Sequence, residues 1–169
     1  MNATCGALRS QRLDMEPTLP HHADEVFAFL DDIEMWRYFA HQRSESIDDL
    51  RKTYARRAQG PADVRQRWEN WIVRERASYA AIGDLQATIF CDLGEASIAY
   101  GVFPPYRRRG YAREAVKTLL EHVRAAHDVR RAFAEINVEN APSLSLIRSI
   151  GFSEVRREGD DLVFERTLV

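Results

Sequence analysis

Apolar patterning along the chain predicts an α+β fold: a mostly antiparallel sheet with helices interspersed. Three observations carry this. Residues 112–126 repeat at helical spacing, with Ala112, Ala115, Val116, Leu119, Leu120, Val123 and Ala126 on one face and Arg113, Lys117, Glu121 and Arg124 on another. Two short strand-like runs, 96–102 and 132–138, flank that helix. The chain then closes on a hairpin, 154–158 and 162–167, joined by Gly159-Asp160-Asp161.

Taken in order, Leu13-Asp14-Met15-Glu16 alternates and stops at Pro17, a first strand. His21 to Asp24 offers a helix start, with Asp24 as the expected cap for a face of Val26, Phe27, Phe29 and Leu30. Trp36, Tyr38 and Phe39 form an aromatic knot. A second helix is expected over 47–58, stopped by Gly60-Pro61. The stretch 65–76 has two readings, because Trp68, Trp71, Ile72 and Val73 suit a helix seam or a strand body; a helix entering a strand is preferred. Residues 79–91 look β, and Asp92-Leu93-Gly94-Glu95 turns into the strand 96–102. After the strand 132–138, Asn140 is an N-cap with Pro142 in the tolerant first turn. Ser143, Leu146, Ile147 and Ile150 share a face of that helix, and Gly151 and Phe152 end it.

The chain has 169 residues, enough for one domain (1–169) with a proper core. A net charge of −2 gives no general case for nucleic acid, while the clustering of basic residues points to a local anionic ligand. Cys5 and Cys91 have no metal-ligand spacing and make no disulfide framework, so two reduced thiols and no metal are expected. The start lacks the apolar core of a signal peptide, and no apolar run approaches the ~20 residues that span a bilayer. A cytoplasmic protein with no membrane partner is the expectation.

The chemistry concentrates in Val102-Phe103-Pro104-Pro105-Tyr106-Arg107-Arg108-Arg109-Gly110-Tyr111-Ala112. A strand, a loop with three arginines and a glycine, then a helix N-terminus make an anion site from backbone amides and guanidinium groups. Gly110 allows a turn and close approach of a ligand, and the small Ala112 serves the same end. Neither Gly-x-x-x-x-Gly-Lys-Ser/Thr nor Gly-x-Gly-x-x-Gly is present here, which removes motif support for nucleoside triphosphate and dinucleotide readings.

That stretch resembles the acetyl-coenzyme A signature of the GNAT acyltransferase superfamily, a Val-x-Pro lead followed by Gln/Arg-x-x-Gly-x-Gly/Ala. Residues 140–152, from Asn140 to Gly151-Phe152, resemble the second family block, and the spacing of the two blocks fits. The opening Arg12-Leu13-Asp14-Met15-Glu16-Pro17 is similar to the first strand of the subgroup containing the ribosomal-protein N-terminal acetyltransferases. The resemblance implies a GNAT-like fold with a splayed parallel strand pair, 96–102 and 132–138, and flanking helices. It implies acetyl-coenzyme A as acyl donor and an amine acceptor, either a protein N-terminus or a small molecule. Backbone groups of Gly101, Val102 and Phe103 would pair with the pantetheine arm. Arg107, Arg108, Arg109, Gly110, Tyr111 and Ala112 would cradle the pyrophosphate, Asn140 would contact the arm, and Arg148 would reach the adenosine phosphate.

Where many relatives carry a Tyr general acid, this sequence has Ile147, which leaves Ser143 as the nominated donor to sulfur. Relatives often place a Glu on the central strand where this chain has Ser97; Glu95 and Glu135 are the candidate bases, beside water or the amine's own equilibrium. His41 and His122 have no partner visible in sequence. The acceptor pocket is expected from the early helices, residues 36–39, Trp68, Trp71 and the last hairpin, with Asp31, Asp32 and Glu34 as attractants for a cationic amine. A homodimer is compatible with the resemblance. A non-catalytic acyl-coenzyme A sensor of the same fold is the alternative, and a nucleic-acid surface on residues 107–109 is disfavoured by the overall acidity.

Overall fold

A computed structural model describes residues 5–38 and 44–169. The expectations on Phe39 and His41, and on the side chains of Glu34 and Trp36, fall outside what is described. Among the described residues, eight strands form one sheet in the order β1-β2-β3-β4-β5-β6-β8-β7. They are β1 (Leu8–Arg9), β2 (Leu13–Pro17), β3 (Gln66–Glu75), β4 (Ala81–Phe90), β5 (Glu95–Val102), β6 (Arg131–Asn137), β7 (Ser153–Glu158) and β8 (Asp161–Thr167). The helices are α1 (His22–Leu30), α2 (Ile33–Trp36), α3 (Ile47–Gln59), α4 (Tyr111–His127) and α5 (Ala141–Ser149). The α+β class holds: every neighbouring pair is antiparallel except β5 and β6.

The 65–76 reading needs correction, because β3 is strand throughout. It lies between β2 and β4, with α4 over one face and α1 and α3 over the other. Burial on both faces turns alternation into the near-continuous run Trp71-Ile72-Val73, which periodicity cannot tell from a buried helix. Trp71 is wholly buried with its indole N–H donated to the Gly6 carbonyl at 2.7 Å, so it is core and not acceptor pocket. Trp68 lines a separate cavity of about 170 Å³ beside Cys5, Arg57 and Cys91. Two smaller corrections concern helix faces and caps. Asp24 sits in the first turn of α1, where His21 is the flanking residue, and Ala126 is exposed on α4, where the neighbouring His127 is the residue that meets β3.

Two apolar clusters sandwich the sheet. Ala115, Val116, Leu119, Leu120 and Val123 of α4, with Leu144 and Ile147 of α5, pack on one face. Val26, Met35, Leu50 and Tyr54 pack with Phe103 on the other. Alternation on β5 therefore sends Ala96, Ile98 and Tyr100 toward α4 and α5, and Ala99, Gly101 and Phe103 toward the early helices.

Candidate active site

The parallel pair β5 and β6 is in register only at Glu95↔Arg131, Ala96↔Ala132 and Ser97↔Phe133. Beyond Ser97 the strands part, and the gap opens into a cleft of about 420 Å³. Its lining includes Tyr100, Gly101 and Val102 of β5, Arg107, Arg108 and Gly110 of the loop, Tyr111 and Ala112 of α4, and Asn140, Ser143 and Leu146 of α5. Met35 and Tyr38 approach from the early helices.

The loop wall is built to present amides. Residues 104–106 make a single 3-10 turn, Arg108 has φ +63°, and Gly110 enters α4 with φ +79°. Glu114 N–H donates to the Gly110 carbonyl as the first turn of the helix closes, leaving the earliest amides without intrahelical acceptors and pointing along the positive end of the dipole. The acidic residue in this first turn, Glu114, is fastened to Arg12 at 2.7 Å and to the Ser10 hydroxyl at 2.7 Å. Arg12 also donates to the Arg109 carbonyl at 3.0 Å and lies over the Tyr111 ring. The β1–β2 turn thus braces the cradle from outside.

Several expected residues sit elsewhere. Arg109 turns away, donating to the Pro105 carbonyl at 3.2 Å, and is absent from the lining. Arg148 lies over Phe164 and meets Glu154 at 3.3 Å. Phe103 is wholly buried on the other face, its amide donates to the Ile82 carbonyl at 2.8 Å and its carbonyl accepts from the Tyr106 amide at 2.9 Å, so both backbone groups are already paired. Arg107 keeps a place in the lining while its Nε donates to the Val102 carbonyl at 3.0 Å. Glu95 opens β5, ion-paired with Arg131. Five residues of strand, about 16 Å, separate it from Tyr100, too far for a base. Glu135 is exposed, and the β5–β6 register carries it to the same sheet face as Ala99 and Gly101.

Asn140 caps α5, its carbonyl oxygen accepting from the Ser143 amide at 3.2 Å. The same turn aims the Ser143 hydroxyl at Tyr100, 2.8 Å away. Burial pushes the Tyr100 phenol above its ordinary range, partly offset by the Ser143 hydrogen bond, so the pair is neutral. His122, whose partner is not visible in the sequence, meets Glu69 at 2.8 Å at the far end of α4.

Two residues of this region were missed in the sequence. Tyr100 follows Ala96 and Ile98 on the helix-facing side, a period-two signal that was available. Asp84 was not legible, because only the register Asp84↔Gly101 brings it here. A Cβ on residue 101 would lie 2.6 Å from Asp84 Oδ1 and 3.5 Å from Met35 Cε, so glycine is what lets the carboxylate cover the strand. Gln86 donates to the other oxygen at 3.3 Å. Burial raises the Asp84 pKa, with Arg57 and the Gln86 hydrogen bond working against it.

A splayed parallel pair, an amide-rich helix entry beside it and a capped second helix define an acetyltransferase of the GNAT class. The chain belongs to that family: the Acetyltransferase (GNAT) domain matches residues 12–153. In sequence it is similar to the uncharacterized N-acetyltransferase YoaA of Bacillus subtilis (strain 168), 24% identical over 151 residues, covering 87% of this chain and 82% of that one. In fold it is similar to RimL, a ribosomal L7/L12 alpha-N-protein acetyltransferase, in complex with coenzyme A (TM-score 0.82, 16% identity, 96% of this chain and 98% of that one). It is also similar to a spermidine N-acetyltransferase from Vibrio cholerae in complex with coenzyme A and spermine (TM-score 0.80, 16% identity, 94% and 96% covered).

Proposed function

We propose that the protein moves the acetyl group of acetyl-coenzyme A to a primary amine, a protein N-terminus or a small-molecule amine, by direct attack on the thioester. The observation that carries this is the opposite aim of two adjacent residues lining the cleft: Tyr100 meets the Ser143 hydroxyl on one face of β5, and Gly101 makes room for Asp84 on the other. The pantetheine arm runs along Gly101 and Val102 in the gap, as an added strand would. The α4 entry, with Arg107, Arg108, Gly110, Tyr111 and Ala112, holds the pyrophosphate.

The neutral amine attacks the thioester carbon from the side of Gly101, and the C–S bond breaks as the amide C–N bond forms. Asp84 takes the ammonium proton; a carboxylate with a raised pKa is a better base than an exposed one. The leaving thiolate receives a hydrogen bond from Ser143, whose own oxygen accepts from Tyr100. Glu135, exposed on the amine side, draws in a cationic acceptor. Cys5 is half-buried, Cys91 is exposed, and neither lines the cleft, so no acyl-enzyme is invoked.

Thiol release from acetyl-coenzyme A across N-terminal peptides, polyamines and amino acids tests the reading. Asp84→Asn should lower kcat about 100-fold with at least one accepted amine, while Glu135→Gln should chiefly raise KM. The reverse pattern would exchange their roles. Coenzyme binding with no thiol release for any amine would replace the enzyme by a sensor of the same fold.

A further inference from the structure

At the other end of α4 from the cleft, Glu69 of β3 is buried at 3% exposure beneath two imidazoles. His122 Nε2 lies 2.8 Å from one carboxylate oxygen and His127 Nε2 lies 3.1 Å from the other. One ligand atom from each of the three residues falls within 4.8 Å of the others. From the convergence of these three donors we propose a divalent transition-metal site, of the zinc class, formed by Glu69, His122 and His127.

The donor set fits that ion. Two imidazole nitrogens and one carboxylate, with the fourth position left to water, make an open zinc site, and imidazole suits zinc, copper and nickel while disfavouring magnesium and calcium. Metal–donor bonds near 2.0–2.1 Å set tetrahedral donor separations at about 3.3 Å, so the 2.8 and 3.1 Å contacts would open by a few tenths of an ångström, and the ion would set the spacing of the two imidazole nitrogens, now within 4.8 Å of each other. The frame holds the donors in place. Glu69 projects from β3 where it pairs with Ala87 of β4. His122 packs edge-on against the buried Trp71 ring at 5.6 Å and against His127 at 5.4 Å. His127 ends α4, where Asp128 closes the helix in the left-handed conformation. The histidine side chains keep 18% and 13% of their surface, which gives an ion a way in.

The site is not part of the acyl-transfer chemistry. Tyr111 and His122 are eleven residues apart on one helix, about 16 Å at 1.5 Å per residue. Metal bound here clamps the far end of the helix whose first turn forms the cradle, tying α4 to β3.

The test uses the full chain, free of any affinity tag and treated with chelator, titrated with Co²⁺ and with Zn²⁺. Wild type should bind one Co²⁺ with visible d–d absorption, and a hundred-fold excess of Zn²⁺ over Kd should raise Tm by about 5–10 °C. His127→Gln and Glu69→Gln should each weaken binding at least ten-fold and lose the Tm shift, while coenzyme affinity stays unchanged. A Cys5→Ala/Cys91→Ser variant should bind as wild type does. Binding that survives in His127→Gln, or no saturable binding at all, would overturn the site and leave a hydrogen-bonded trio. His122→Gln gives a second independent reading should Glu69→Gln fail to fold.

Discussion

Tyr100 and Gly101 are neighbours on one strand, yet in the proposed reaction they serve opposite sides of the same bond. Toward α4 and α5, Tyr100 meets Ser143 at 2.8 Å, and both groups are neutral hydroxyls. Toward the early helices, Gly101 has no side chain at all, and the space is filled from β4 by a half-buried carboxylate that accepts from Gln86 and feels the charge of Arg57. The first face can donate to developing negative charge on sulfur. The second can receive a proton from developing positive charge on nitrogen. A strand's two-residue alternation is thus enough to separate acid from base across a thioester. On this proposal glycine has a role of its own: on the donor side a side chain would do the chemistry, and on the acceptor side its absence leaves room for Asp84.

The largest effect should come from erasing that asymmetry. Gly101→Ala puts a methyl 2.6 Å from Asp84 Oδ1, a contact real Cβ atoms essentially never make, so the carboxylate must shift. We expect kcat/KM to fall roughly 1,000-fold, because the proton acceptor is displaced and the acyl position is narrowed together. Adding Asp84→Ala should restore thermal stability without restoring turnover. Turnover within ten-fold of wild type in Gly101→Ala would show that Asp84 does not face the reaction.

Breaking the donor side should cost less. A thiolate is a good leaving group, so Ser143→Ala is expected to lower kcat about ten-fold with coenzyme affinity intact, and Tyr100→Phe by less, since it removes only the group that orients Ser143. Steady-state kinetics with binding measured separately checks this order. A Tyr100→Phe loss larger than that of Ser143→Ala would make the phenol the direct donor.

The two sides were unequally legible in the sequence. Ser143 could be placed because Asn140, Pro142 and Gly151 fix the start and stop of α5 by local rules of capping. The cradle was likewise local, a strand end and a glycine before a periodic helix. Asp84 was hidden because its position depends on a cross-strand register, Asp84↔Gly101, that no local rule supplies. Arg109 and Arg148 point away from the cleft for a related reason. Charge in a motif does not say where a long side chain goes, and here Pro105, Glu154 and Phe164 claim them. Glu95 was assigned by closeness in sequence to the strand, whereas the strand's length puts it at the wrong end.

The smallest effect concerns stability and separates the two sides by pH. Asp84 is a carboxyl whose folded-state pKa lies above its unfolded value, because burial disfavours its charge. The folded protein therefore holds that proton more tightly than the unfolded chain does. Its contribution is fully present below the unfolded pKa of about 3.9 and is lost as pH rises through the folded value. Asp84→Asn, which cannot ionise, should melt above wild type at pH 7 and near it at pH 4, even as turnover falls. Ser143→Ala and Tyr100→Phe should show no such crossing, since their hydroxyls stay protonated across that window. Parallel melting curves for Asp84→Asn and wild type from pH 4 to 8 would mean that the carboxyl is not desolvated, and with that its claim to be the better base would go.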